Sequence, residues 1–296
     1  MRTHIPSRLL VLTAVGVGLV GAGATGSLQA ADPFVAGQTS TRAVALGSAD
    51  TGRALDHAAG LARALGLPAG TRTVERLEDR FEHRVYDEVV SRDRTGRAVA
   101  VARFGTDGRV VMAVALGWHG ASARAVARDA AARHAEAFVR AAGVGVSGTA
   151  AVRPLSSGWS VQWSRTADGA PVLGDGVRVL LWTDGSFHGL AVSERPLAAA
   201  PRHRIAASRA ERLAQRTVAR RYGVSAKDLT VESTSLAWVA PNDAWNAAAQ
   251  DAPAASLRIA WVVTLRADGH LAHRLRGLQV WLDAGDGSIV GGDVME

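Results

Sequence analysis

Asp283, Asp286 and Gly287 lie in the run QVWLDAGDGSIVGG, residues 279–292, and are the residue types that line a calcium loop. A hard cation needs oxygen ligands at alternate positions, and Gly285 stands where an EF-hand-type loop would place its second oxygen. His270 and His273, with Asp268 nearby, would ligate a metal if they lay on a helix. The surrounding pattern instead predicts a turn and the start of a strand, where residues three apart face opposite sides. His134 and Glu136 are two apart on an expected helix and point different ways. His83, Asp87 and Glu88 read as a solvated, charged strand edge. The chain has no cysteine, which excludes a thiol nucleophile and every Cys-based zinc site. Gly158-Trp159-Ser160-Val161-Gln162 lacks the closing glycine of a serine-hydrolase elbow. Phosphate-loop and dinucleotide fingerprints are missing as well. No catalytic, metal-binding or cofactor-binding residue is assigned, no cofactor is expected, and carboxylates that meet only in space remain open.

The elements that would position these residues follow from periodicity. Leu55, Ala58, Ala59, Ala62 and Leu65 recur at helical spacing over 55–65. Strands are expected at 73–77, 83–90, 98–104 and 109–116, the last two joined at Thr106-Asp107-Gly108. A second helix is expected over 122–142, with Ser122 as N-cap and Gly143 as stop. Strands at 149–155, 159–164, 177–182 and 187–192 follow it. A third helix over 208–222 ends at Gly223, before strands at 229–239, 257–265, 275–282 and 288–294. Along the second of these, Leu257, Ile259, Trp261, Val263 and Leu265 alternate with Arg258, Ala260, Val262, Thr264 and Arg266, so the first set predicts a helix-covered face.

The pattern repeats. Ala167-Asp168-Gly169 recurs as Ala267-Asp268-Gly269, and the run from Asp184 to Gly189 (DGSFHG) matches that from Asp286 to Gly291 (DGSIVG), at an offset close to one hundred residues. The economical reading is a helix followed by an antiparallel meander, with one unit at 119–198 and another at 199–296. Residues 54–118 have the same element order and read as a candidate third, more diverged unit. The acidic run at 279–292 is then the closing hairpin of the last unit.

Residues 1–31 read as a secretory signal: Arg2 and Arg8, an apolar stretch over 9–26, and small residues at the exit. A cleaved signal is favoured over an uncleaved anchor, and no later segment is apolar enough to span a bilayer. Residues 32–53, rich in Gly, Ala, Ser and Thr, read as a flexible leader. Signal removal leaves about 265 residues, ample for a core. The expected location is extracellular or in the cell envelope. The net charge of +7 comes almost wholly from arginine, since Lys227 is the single lysine. Those arginines are scattered among acids and alanines, so no nucleic-acid partner is expected. Oligomeric state is not legible. Trp163, Trp182, Trp261 and Trp281 fall in strands and read as core. Trp245 lies in the long loop 241–256 without a periodic partner, so it reads either as an exposed partner anchor or as a side chain docked on its own domain.

The run RTADGAPVLGDGVRVLLWTDGSFHGLAVSERPL, residues 165–197, resembles the propeptide domains of thermolysin- and fungalysin-type metalloproteases: a small-Pro-Val turn, a Gly-Asp step, a Val-rich strand, a Gly turn and a final strand. LRIAWVVTLR followed by LQVWLDAGDGSIVGGDV, within residues 257–294, is similar to the ending of the PepSY family. The likeness covers 119–296 well and 54–118 weakly. It implies an α+β fold of tandem cystatin-like, PepSY-like units, each a helix packed on a curved antiparallel sheet. It also implies a module that inhibits or chaperones a secreted metalloprotease, or binds extended peptide in the envelope. No His-Glu-x-x-His occurs, so a module without a peptidase domain is expected. The competing expectations are a cell-surface structural or adhesion protein, and an enzyme with a site between units.

Overall fold

The computed structural model describes residues 41–79, 84–117, 124–242, 245, 256–267 and 277–295. The signal at 1–31 and the Asp268, His270 and His273 group lie outside these residues, as do His83 and Ser122. The chain is α+β. Helix α1 (Ser48–Leu65) precedes strands β2 (Thr71–Asp79), β3 (Arg84–Arg92), β4 (Ala98–Gly105) and β5 (Val110–Ala115). Helix α2 (Arg128–Ala141) precedes β6 (Ala151–Leu155), β7 (Gly158–Ala167), β8 (Ala170–Trp182) and β9 (Phe187–Ser193). Helix α3 (Ala207–Tyr222) precedes β10 (Leu229–Val239), β11 (Arg258–Ala267), β12 (Gly277–Asp283) and β13 (Ile289–Met295). A short strand β1 (Thr41–Val44) pairs with β2 ahead of α1.

The stretch expected as a leader therefore holds β1 and the first residues of α1. Its Gly- and Ser-rich composition hid the pairing of Arg42 with Glu78, which are joined by an ion pair at 2.7 Å, and the first turn of α1. Helix α2 also begins later than its alanine content suggests. The backbone N–H of Val126 donates to the carbonyl of Thr183 at 2.9 Å, and this tertiary bond holds the approach to the helix extended. Ala170-Pro171-Val172, expected as a turn, opens β8 instead; the turn is Asp168-Gly169, both at positive φ (49° and 74°), as a two-residue hairpin loop requires.

Each helix buries the same stripe: Ala54, Ala58 and Ala62 in α1; Ala131, Ala135 and Val139 in α2; Ala210, Ala214 and Val218 in α3. Small residues four apart let the helix lie close to its meander. Each final hairpin carries a bulge at one place, opposite Phe104–Val110, Leu181–Phe187 and Leu282–Ile289. The residue before the second alanine of the stripe stands over the turn glycine in every unit: His57 over Gly108, His134 over Gly185 and Leu213 over Gly287. This contact requires glycine. At Gly185 φ is 80°, and an added Cβ would meet His134 Nδ1 at 2.3 Å. Gly185→Ala is expected to destabilise the fold by about 1–3 kcal/mol, read as a fall in the urea midpoint at unchanged m-value.

Among the described residues the three meanders merge into one mostly antiparallel sheet of thirteen strands. The first two units join through their last strands. The register is Met112↔Ala191, Ala113↔Leu190 and Val114↔Gly189. Counting from the turn glycines, Ala113 and Leu190 are equivalent positions, so this junction has local two-fold symmetry. The third unit attaches at β8, which forks. One edge of β8 pairs with β7 over nearly its whole length; the other pairs with β9 from Gly176 to Leu181 and with β10 at Val172↔Trp238, in parallel.

The α3 side of β11 is assembled from two sources. Trp261, Val263 and Leu265 lie against α3, as the alternation predicted. Leu257 and Ile259, on the same face, are covered by Ala170 and Val172 of the β7–β8 hairpin and by Leu197, not by the helix.

Candidate functional site

Polar chemistry concentrates at a cleft beside α1, at the fork of β8, and in the turn aspartates. In the cleft, Arg76 donates from Nε to Asp87 Oδ1 at 2.7 Å and from a terminal nitrogen to Asp50 Oδ2 at 3.0 Å. Arg53 also bonds Asp50. His57 lines the same cleft, its ring 5.9 Å from that of Phe104. The cavity is about 60 Å³, room for a few waters. Hydrogen bonds from Arg53 and then Arg76 hold the Asp50 carboxyl below its ordinary range. Asp87, aided by Asp50, makes Arg76 still harder to deprotonate. A general acid at neutral pH needs a carboxyl pushed upward, and the Asp50 shift runs the other way.

At the fork Asp175 is fully buried at its side chain and saturated with donors. Oδ1 accepts from Arg195 Nε at 2.6 Å and Ser193 Oγ at 2.9 Å; Oδ2 accepts from the Arg195 backbone at 2.7 Å and from Arg165 at 3.2 Å. Arg165 also donates to the Arg195 carbonyl at 2.7 Å, and Arg195 to the Leu173 carbonyl at 2.8 Å. The Gly-Asp step that carried the propeptide resemblance is thus an internal ionic lock.

The aspartates that suggested a cation loop each commit one oxygen to the chain. Asp283 Oδ1 accepts from Gly285 N at 2.8 Å, and Asp286 Oδ1 from Ser288 N at 2.7 Å. Asp93, Asp107 and Asp184 do the same two residues ahead of Thr95, Arg109 and Ser186. Among the described residues no three His, Asp or Glu side chains converge as a metal site, and His134 instead approaches the Gly185 carbonyl at 3.1 Å from Nδ1.

Hydrogen bonds depress Asp93 (from the Thr95 hydroxyl first) and Asp286 (from the Ser288 backbone first) as well as Asp50. A carboxyl with a lowered folded-state pKa adds stability above its unfolded value of about 3.9, and that stability is lost as pH falls through the folded value. The urea midpoint is therefore expected to drop as pH falls below about 4. Asp93→Asn should flatten that drop, and an unchanged slope in this variant would contradict the assignment.

Trp245 is not an exposed anchor. Its side chain is buried, its indole N–H donates to the Gln279 carbonyl at 2.6 Å, Tyr222 meets it edge-on and Arg221 sits 5.1 Å above its ring. It packs flat because position 292 is glycine: a Cβ there would lie 2.1 Å from the indole nitrogen.

A second depression, of about 290 Å³, lies between α2 and β7, lined by Val139, Val144, Val146, Trp163, Glu136 and Arg140. Val146 is one of two large apolar side chains left exposed among the described residues. Strand β6 begins opposite Gln162, so the ladder leaves Trp163–Ala167 of β7 without a strand on that side among the described residues.

No protein-family model matches the sequence, and neither does any curated protein. Among solved structures the chain is similar to the C-terminal domain of YpeB from Bacillus megaterium, at 11% identity and a TM-score of 0.44, over 86% of this chain and 99% of that chain. No helix among the described residues is long and apolar enough to cross a membrane.

Proposed function

We propose that the chain is a non-catalytic binding module of the cell exterior that takes an extended peptide by strand addition, the peptide belonging to a secreted metalloprotease that it inhibits or chaperones. The observation that carries this reading is the notch beside β7. Backbone groups of an unpaired strand edge supply affinity, and an adjacent apolar depression supplies side-chain selectivity. A peptide continuing the line of β6 would pair with β7 beyond Gln162 and set an apolar side chain against Val139, Val146 and Trp163, between Glu136 and Arg140. The sequence resemblance to protease propeptides supports the choice of partner. The carboxylates described above are engaged by arginines or by backbone, which supports a binding role over acid–base chemistry.

The test is titration of the chain from residue 32 onward against several secreted thermolysin-like proteases, following both complex formation and residual activity. Binding weakened at least tenfold by Val146→Asp is the expected result, since an apolar side chain docking there would have to desolvate the new carboxylate, at about 1.4 kcal/mol or more. No complex with any such protease, or with peptides cut from them, would sink the reading.

A further inference from the structure

The edge of β13 carries a device unlike those on the other outer strands. Strand β1 has four residues, and β6 has five with Pro154 among them, both common ways to blunt an edge. Strand β13 has seven residues and no proline. Among the described residues its outward backbone groups are met by Asn242. The Asn242 carboxamide donates from Nδ2 to the Gly292 carbonyl at 2.8 Å and accepts at Oδ1 from the Gly292 N–H at 2.9 Å, and the Asn242 backbone N–H donates to the Val290 carbonyl at 2.9 Å. One amide thus makes both bonds that a paired residue of a neighbouring strand would make.

The position it occupies is specific. The bulges align Leu180↔Gly189 with Trp281↔Gly291 and Val179↔Leu190 with Val280↔Gly292. Gly292 is therefore the counterpart of Leu190, and Leu190 pairs with Ala113 on the local two-fold axis that joins the first two units. The same edge that welds unit two to unit one is present in unit three, with Asn242 standing where the partner strand would be. Gly291 makes this approach feasible, since a Cβ there would lie 2.5 Å from Asn242 Oδ1.

We infer that Asn242 is a plug on a latent self-association edge: it keeps β13 from pairing antiparallel, about a two-fold axis at Gly292, with β13 of a second copy of this chain. The occupant is a second copy because the interface already exists once inside the molecule, between equivalent positions of equivalent strands. Strand alternation sets the backbone of residues 290, 292 and 294 outward and that of 291 and 293 toward β12. Proline at 294 would remove an outward N–H without touching the β12 ladder.

The experiment is light scattering on the chain from residue 32 onward across a concentration series, with circular dichroism to confirm folding. Wild type is expected to stay monomeric. Asn242→Ala should double in mass with rising concentration, and Asn242→Ala with Val294→Pro should return to the monomer. Asn242→Asp serves if the alanine variant does not fold. It keeps the size, loses the donor to Gly292 and sets a carboxylate against that carbonyl, so it should dimerise as well. A folded Asn242 variant that remains monomeric throughout overturns the inference, and so does a dimer insensitive to Val294→Pro. Neither result bears on protease binding at β7, and loss of protease binding would leave this inference standing.

Discussion

Asp175→Ala is expected to lower the unfolding free energy by about 3–5 kcal/mol, the range for breaking a buried ion pair by removing one partner. Two guanidinium groups converge on this carboxylate, whose side chain has no solvent exposure. Alanine would leave Arg165 and Arg195 partly buried, facing each other without a counter-charge. It would also orphan the Arg195 backbone N–H and the Ser193 hydroxyl. The position matters as much as the charge. Gly174 and Gly176, at φ of 77° and 131°, bend β8 on either side of Asp175. There the strand passes from pairing with β10 to pairing with β9, and the chain leaving β9 is drawn back onto Leu173 by Arg195. Asp175→Asn keeps the volume and one acceptor, so its loss should be clearly smaller than that of alanine. Chemical denaturation of the three proteins at neutral pH measures both gaps. A loss within about 1 kcal/mol for alanine, the scale of a surface ion pair, would show that the lock does not hold the fork.

The sequence and the structure agree most closely where the information is local. The period of three to four in α3 and the alternation along β11 placed those elements nearly to the residue, because each must hide an apolar face. The match between 184–189 and 286–291 identified equivalent hairpins, and the bulges confirm them. How the units join was not legible. The β5·β9 register depends on two strands whose residues, Met112 to Val114 and Gly189 to Ala191, are equally suited to a free edge. The partners of Asp175 lie ten to twenty residues away in sequence, so a lone aspartate in a Val-rich strand reads as a turn residue until the fork is seen. For Trp245 a signal did exist. Consecutive glycines inside a strand mark close approach of another group, and Gly291 and Gly292 are the notch into which Asn242 and Trp245 fit. Loop composition around Trp245, polar and small, pointed the other way.

Trp238→Ala is expected to cost about 3–5 kcal/mol and, more tellingly, to split one unfolding transition into two. The main core joins α1 and α2 with the sheet between β2 and β9, and a separate core joins α3 with β10, β11 and β12. Trp238 belongs to neither. It is 1% exposed, packs in one cluster with Ala170, Val172, Leu257, Ile259 and Ala284, and donates its indole N–H to the Ala167 carbonyl at 3.1 Å. Its backbone partner across the fork is Val172. Truncation would remove the largest side chain from the contact between the β7–β8 hairpin and the third unit, leaving only Ala170, Val172 and Leu173 of the hairpin, Leu197, and the two hydrogen bonds of the chain at 196–198 with Leu257. Folding units that share little buried surface melt independently. Calorimetry should therefore show a single transition in the wild type and a low-temperature shoulder from the third unit in the variant. Trp238→Phe retains much of the area and loses only the indole bond, worth about 1 kcal/mol, so it should lower the midpoint without splitting it. A Trp238→Ala protein that still melts in one cooperative step would mean that the β8 fork, with Asp175 at its bend, couples the units without this contact. The two substitutions thus divide the junction between an ionic lock and an apolar wedge, and the double variant measures how far each depends on the other.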